Sequence, residues 1–315
     1  MHLLLILLGL VLLILLAGRL YTIRHVRRTY ITHPPAGKFV DIGPSKVHYI
    51  EEGSGTPVVM IHGSDGTLFN FRRSIFDLVS TEFRTIVVDR PGHGYSDTAA
   101  DQPLTIPYNA GAIREAVRRL GITRPIVVGY SYGGAVALRW ASEHPDEIAG
   151  LVLISPAGYP EPHYLSVFAY VVGLPLVGPL LANTMFVPIA RPQARIWARR
   201  AFRPDPLPPD VLDSVLAFSL RPKQFAAFAE EMRHFSHDLA EQSDNYSRTT
   251  IPVAILAGEG DILLTPSRQA VRLQSVLPQA TLKLFPRTGH EVHYKYREET
   301  LAAIREVATK AAFNK

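Results

Sequence analysis

The residues best suited to covalent chemistry lie in Gly129-Tyr130-Ser131-Tyr132-Gly133-Gly134, directly after the apolar run Pro125 to Val128 and before a helical stretch from Ala135. A serine at a sharp strand-to-helix turn takes strained backbone angles, and glycines two before and two after it let strand and helix pass closely. Its hydroxyl is thereby pushed out above the sheet, at a helix N-terminus whose dipole favours developing negative charge. Ser131 is the expected nucleophile, set against the plainer reading of a glycine-bracketed turn serine. A serine hydroxyl is a weak nucleophile at neutral pH, so a base and an orienting carboxylate are required. Of the twelve histidines, His290 in Arg287-Thr288-Gly289-His290 follows the last apolar run, Leu282 to Phe285. That is a C-terminal strand end, where open α/β sheets assemble their sites. His293 is the nearest alternative. Asp261, in Gly258-Glu259-Gly260-Asp261 after the run Val253 to Leu256, fits as the carboxylate that fixes the imidazole tautomer, with Glu259 its rival. Two N–H donors must meet the tetrahedral oxyanion, each contributing about 3 kcal/mol. Tyr132, next after the nucleophile, supplies one; Ser64, in the loop Ile61-His62-Gly63-Ser64-Asp65-Gly66, is the expected second, with His62 a structural hydrogen-bonding residue of that loop. No metal-ligand spacing rises above chance, so neither a metal nor another cofactor is expected.

The elements that must position these groups follow from hydrophobic periodicity. Phe39 to Ile42 and Lys46 to Glu52, split by Gly43-Pro44-Ser45, read as a leading hairpin. Beyond it, the apolar runs Val58 to Ile61, Thr85 to Val88, Ile126 to Val128, Leu151 to Ile154, Val253 to Leu256 and Leu282 to Phe285 look like strands buried on both faces. The stretches around Phe69 to Ser80, Tyr108 to Leu120, Tyr132 to Glu143, Ser267 to Leu277 and Tyr294 to Ala312 have helical spacing and supply the crossovers of a parallel sheet. Between Ser155 and Thr250 no buried strand is evident, prolines are frequent, and a structureless loop of that length is improbable. An inserted helical cap is expected there, its prolines marking breaks between short helices.

Composition narrows the class. At 47% hydrophobic and 19% charged, the 315 residues are globular rather than disordered. The absence of cysteine excludes disulfides, thiolate metal sites and cysteine nucleophiles. The net charge of +5 suggests nucleic acid until the bases are located: Arg19, Arg24, Arg27 and Arg28 account for four of the 33, and the remainder nearly balances the 28 acids. No nucleic-acid partner is expected. Leu3 to Ala17 is uninterrupted apolar sequence, extendable with a snorkelling Arg19 to Ile23, about 21 residues or roughly 31 Å of helix. That matches the roughly 30 Å of bilayer hydrocarbon. With no base before it and a poor cleavage site at Leu15-Leu16-Ala17, the run reads as an uncleaved anchor in preference to a signal peptide or a core helix. Four arginines on its C-terminal flank place the body on the cytoplasmic side. The expected division is an anchor with its basic flank at 1–30, a core at 31–155 and 250–315, and a cap at 156–249.

Taken together, His62-Gly63, Asp89-Arg90-Pro91-Gly92-His93-Gly94-Tyr95-Ser96, the serine elbow, Gly258 to Asp261 with Thr265-Pro266 behind it, and Gly289-His290 resemble the α/β-hydrolase superfamily over roughly Phe39 to Ala312. The resemblance implies an eight-stranded, mostly parallel sheet, a helical cap after strand six, and a metal-free Ser-His-Asp triad. It also makes Asp89 to Ser96 a structural turn bordering the pocket, with His93 part of the framework. Departures narrow the activity. Epoxide hydrolases and haloalkane dehalogenases of the superfamily use an aspartate where Ser131 stands, and their His-Gly-x-Pro loop is missing. Carbon–carbon bond hydrolases carry a tryptophan where Glu291 stands, and prolyl aminopeptidases one where Tyr132 stands.

Carboxylic ester hydrolysis through an acyl-enzyme is therefore the expected activity. Carbon–carbon or amide hydrolysis and cofactor-free perhydrolysis stand as alternatives, and a non-catalytic binding protein is disfavoured by the intact set Ser131, Asp261 and His290. The substrate is expected to be a small molecule with an apolar acyl group, because the cap carries Phe168, Tyr170, Phe186, Trp197, Phe202, Phe218, Phe225 and Phe228. A dinucleotide site needs a Gly-x-Gly-x-x-Gly that no segment provides; Gly92-His93-Gly94 lacks the third glycine.

Overall fold

The computed structural model describes residues 1–99, 102–161, 171, 173, 174 and 176–313. Phe168 and Tyr170, named above for the cap, lie outside the described residues. The apolar runs form one eight-stranded sheet: β1 (Lys38–Asp41), β2 (Lys46–Glu52), β3 (Pro57–Ile61), β4 (Arg84–Val88), β5 (Ile126–Tyr130), β6 (Gly150–Ile154), β7 (Val253–Gly258) and β8 (Thr281–Phe285). Their spatial order is β1-β2-β4-β3-β5-β6-β7-β8. The leading hairpin pairs antiparallel with Val40 opposite Val47, β2 runs antiparallel to β4, and all later pairings are parallel. Alternate side chains of a strand face opposite ways, so Val127 and Leu153 enter one core and their neighbours Val128 and Ile154 the other. One run departs from expectation. β8 pairs only with β7 and lies at the sheet edge, so Thr281 and Lys283 are exposed where a doubly buried strand was anticipated.

Crossover helices cover both faces. α2 (Phe69–Arg72) and α3 (Phe76–Val79) divide a stretch read as one helix, while α4 (Ile106–Arg119) and α5 (Tyr132–Glu143) follow β4 and β5. Between β6 and β7 come α6 (Val177–Thr184), α7 (Phe186–Phe202), α8 (Pro209–Phe218) and α9 (Pro222–Ser243). Pro209 and Pro222 start helices, where the missing N–H costs nothing. Pro192 does not mark a break: α7 runs through it, losing one backbone bond on a helix held by its neighbours. After β7 come α10 (Ala270–Val276), α11 (Val292–Lys295) and α12 (Arg297–Phe313).

The N-terminal helix α1 (His2–Thr32) has a mean hydropathy of 2.9 in its most apolar window and is long enough to cross a membrane. It also docks onto the protein. Gly18, Thr22 and Thr29 are buried, α6, α7 and α8 pack against it, and Thr29 Oγ1 donates to the Ala217 carbonyl at 3.0 Å. His33 Nε2 lies 3.2 Å from Asp213, and Tyr95 OH donates to the His33 carbonyl.

Candidate active site

Ser131 links the end of β5 to the start of α5 with φ +53° and ψ −118°, a conformation costly for any residue but glycine. Its N–H donates to Ile154 O of the neighbouring strand at 3.0 Å, and its carbonyl accepts from Ala157 N at 3.1 Å, so the strain is held by bonds on both sides. The turn closes because a Cβ at Gly133 would strike the Ile61 and His62 carbonyls, and one at Gly129 would strike the backbone of Gly133 and Gly134. Ser131 is 8% exposed at this site.

His290 and Asp261 are brought together from the ends of β8 and β7. His290 Nδ1 lies 2.6 Å from Asp261 Oδ2. An ionised carboxylate only accepts, so Nδ1 carries the proton and Nε2 is left as the basic nitrogen. Asp261 Oδ1 accepts from Leu263 N at 2.8 Å and Leu264 N at 3.0 Å, which fixes the carboxylate. The imidazole's backbone is braced twice: Ser155 Oγ donates to the His290 carbonyl at 2.8 Å, and His290 N donates to Ala201 O of α7 at 3.0 Å. The ring of Tyr130, the residue before the serine, stands 5.1 Å from the His290 ring. Among the described residues no hydrogen bond joins Ser131 Oγ to His290; contacts of this kind commonly tighten only around bound substrate.

The two rivals fall away on contacts. Glu259 is exposed, and among the described residues only its backbone N–H is engaged, with Phe285 O. His293 is fully buried, its ring tilted against those of Tyr130 and Phe71, and its ring nitrogens have no hydrogen-bond partner among the described residues. Electrostatics separates the histidines in the same way. Burial pulls the His290 imidazole down, but the charge and hydrogen bond of Asp261, with Glu291 beyond, outweigh it and leave the pKa above its usual 6.5. Burial lowers His62 to about 3 with help from Arg90, lowers His293 to about 3, and holds His93 well below the usual range. Of these four rings, only His290 has its pKa raised; burial lowers the other three.

The expected oxyanion donors flank the serine. Tyr132 N–H begins α5 and is among the amides a helix leaves without an internal partner. Ser64 N–H makes no hydrogen bond among the described residues, and its loop touches the elbow: a Cβ on Gly63 would come within 3.1 Å of Ser131 Cβ. His62 holds that loop, its Nδ1 2.8 Å from Gly63 O and its Nε2 accepting from Arg90 N at 2.9 Å.

Sequence reasoning missed the group that locks this arrangement. Arg90, fully buried, donates to His62 O at 3.2 Å and Gly63 O at 3.0 Å, and its guanidinium lies 4.4 Å from the Tyr132 ring centroid. It thus contacts both segments on which the oxyanion donors are expected. Its charge is met by Glu231 of α9, which also accepts from Asn109 Nδ2 at 3.1 Å. Burial raises the Glu231 pKa, against the pull of Arg90. The signal was spacing: Gln224, Glu231 and Asp238 recur every seven residues on one buried face of α9, bonding Gly94 N, Arg90 and Ile106 N. Asp89, read as part of a structural turn, accepts from Leu68 N and Tyr95 N and pairs with His48 at 2.7 Å. Glu291 is also structural, accepting from Tyr130 OH at 2.7 Å.

The aromatic residues between β6 and β7 are largely engaged in packing. Phe186 stacks on Phe225 at 3.8 Å, Phe202 meets Tyr294, and Phe218 meets Phe69 and Tyr95, while Trp197 is 52% exposed.

Comparison with known proteins gives this geometry a family. A family model described as alpha/beta hydrolase fold matches residues 56–295. The chain is 33% identical over 144 residues to 2-hydroxy-6-oxo-6-phenylhexa-2,4-dienoate hydrolase of Comamonas testosteroni, a match covering 43% of this chain and 50% of that protein. It is 25% identical to haloalkane dehalogenase 2 of Mycobacterium tuberculosis over 86% of this chain and 94% of that one. Among solved structures, a membrane phospholipase A described as a bacterial virulence factor superposes with a TM-score of 0.65 at 21% identity, covering 98% of each chain. A sheet of this order, a strained serine at the β5 turn and a family match over most of its length lead to one conclusion: the chain belongs to the α/β-hydrolase fold family.

Proposed function

We propose that the protein is a membrane-anchored serine hydrolase that cleaves carboxylic esters through an acyl-enzyme. The observation that carries the reading is the 2.6 Å His290–Asp261 pair beside the strained Ser131 turn. In this reading His290 Nε2 takes the Ser131 proton as Oγ attacks the ester carbonyl, and Asp261 stabilises the imidazolium that results. The Tyr132 and Ser64 N–H groups receive the oxyanion. The imidazolium then protonates the departing alcohol, and water activated by the same nitrogen releases the acid. The segment between β6 and β7 serves as the cap over this site, and α1 as the anchor, its arginines holding the body on the cytoplasmic side.

Two considerations favour this chemistry. A serine, where aspartate would be needed, argues against dehalogenation despite the likeness to haloalkane dehalogenase 2. Matching the phospholipase A along 98% of both chains, N-terminal helix included, agrees with an acyl ester near a membrane. The alternative of carbon–carbon hydrolysis is favoured on one count, the 33% identical stretch shared with the dienoate hydrolase. A panel of p-nitrophenyl esters of increasing chain length, set beside a 2-hydroxy-6-oxo-dienoate, separates them. The ester reading expects turnover of the panel with a burst of nitrophenol, abolished in Ser131→Ala; turnover of the dienoate alone contradicts it.

A further inference from the structure

A cavity of about 400 Å³, open to solvent on one side and large enough for a lipid headgroup, lies where α1 meets α7 and α8. Tyr21, Arg24, His25, Arg28, Arg191 and Asp213 are among its lining residues. The one acid of the six already faces His33 at 3.2 Å. Arg24, Arg28 and Arg191 have no ion-pair partner among the described residues, and two helices distant in sequence bring them to one space. Three unmatched guanidiniums around one cavity suit an anion with several acceptor oxygens, because each can donate two parallel bonds to a phosphate.

Depth identifies the source of that phosphate, and this step rests on the anchoring reading above. At 1.5 Å per residue, Arg24 to Arg28 begin about 1.5 Å and end about 7.5 Å beyond Ile23, the last residue of the apolar span. That is the headgroup layer. The tip of the α6–α7 hairpin reaches deeper: Arg19 donates to Asn183 Oδ1 at 2.7 Å, and Gly18 is so close to the Thr184 carbonyl that no Cβ would fit. Those contacts lie about 6–7.5 Å inside the end of the span. Leu180 and Ile189, on either side of the tip, are 51% and 44% exposed, as side chains facing acyl chains would be. We infer that the cavity between α1 and α7 is a binding site for the phosphate of an anionic phospholipid headgroup, held by Arg24, Arg28 and Arg191 below the hydrolase body.

The site is tested with the full chain in non-ionic micelles, titrated calorimetrically with dihexyl phosphatidylglycerol, its phosphatidylcholine counterpart, and inorganic phosphate. Ether-linked chains keep an ester hydrolase from consuming the probe. Phosphatidylglycerol is expected to bind at least tenfold more tightly than phosphatidylcholine. Arg191→Ala and the double variant Arg24→Ala/Arg28→Ala should each lose at least tenfold, whereas Arg199→Ala, on α7 but outside the cavity, should bind as wild type. Equal affinity for the two lipids, or an Arg191→Ala protein that binds as wild type, overturns the site. Inorganic phosphate binding with the same arginine dependence, without binding of phosphatidylglycerol, overturns the lipid as its source. Retention of the wild-type chain in alkaline-washed membranes reports on anchoring by itself: loss there removes the headgroup depth, while retention together with failed titrations removes the site alone.

Discussion

Two buried side-chain pairs, each with one carboxylate, flank Ser131, and they are built for opposite ends. On the Tyr130 side, His290 meets Asp261; on the Tyr132 side, Arg90 meets Glu231. Both are nearly closed to solvent. The first contains an imidazole on which burial and the carboxylate pull in opposite directions, the carboxylate prevailing and raising its pKa. The second is organised around a guanidinium that cannot give up its proton, and its donors go to the His62 and Gly63 carbonyls of the loop after β3. One pair suits moving a proton; the other suits holding a shape. The difference teaches that burial of charge is not itself a mark of chemistry. What marks it is a partner of matched basicity with a nitrogen left over.

The comparison is broken or sharpened by substitution, with the largest effect expected at the titrating pair. Asp261→Asn should reduce ester kcat/KM by about 10⁴-fold, because the amide favours the wrong imidazole tautomer while the geometry survives. At the other pair, Glu231→Ala should cost about 3–5 kcal/mol of stability, measured by denaturant titration in micelles, since it strands Arg90 without a counter-charge. Glu231→Gln keeps an acceptor for Arg90. It should fold, lose roughly 10- to 100-fold in kcat through a loosened oxyanion loop, and leave the pH profile where it was. A profile that moves with Glu231→Gln would erase the distinction between the pairs.

The pH dependence itself is the next effect. A base must be neutral to act, and a raised imidazole pKa means activity grows only as pH rises through a value above the usual 6.5. The acid limb of kcat/KM should therefore lie above 6.5 and should fall in Asp261→Asn. The smallest effect belongs to Glu291, whose charge adds to that of Asp261 at His290. Glu291→Gln should shift the limb down by a fraction of a unit with kcat little changed, as pH–rate curves would record.

Much of this architecture was legible because the buried strands are short apolar runs and each expected catalytic residue follows one directly. Ser131 after β5 stood out by its flanking glycines, and Asp261 after β7 and His290 after β8 by their strand ends and their order along the chain. The edge position of β8 was not legible, since pairing with only one neighbour is a property of the sheet and not of the run. Glu231 escaped notice for a different reason. It lies 141 residues from Arg90, and an acid on a helix reads as solvated until the face it occupies is known. The docking of α1 was equally hidden: Arg19 meets Asn183 across 164 residues, and a long apolar run gives no sign of which side rests on protein.

The central claim, that Ser131 is a nucleophile activated by His290, is tested most directly by intact-protein and peptide mass spectrometry after exposure to a fluorophosphonate. The account predicts one adduct per chain, located on Ser131, lost in Ser131→Ala and formed at least a thousandfold more slowly in His290→Ala. A wild-type chain that stays unmodified, or one labelled equally fast without the imidazole, would contradict it.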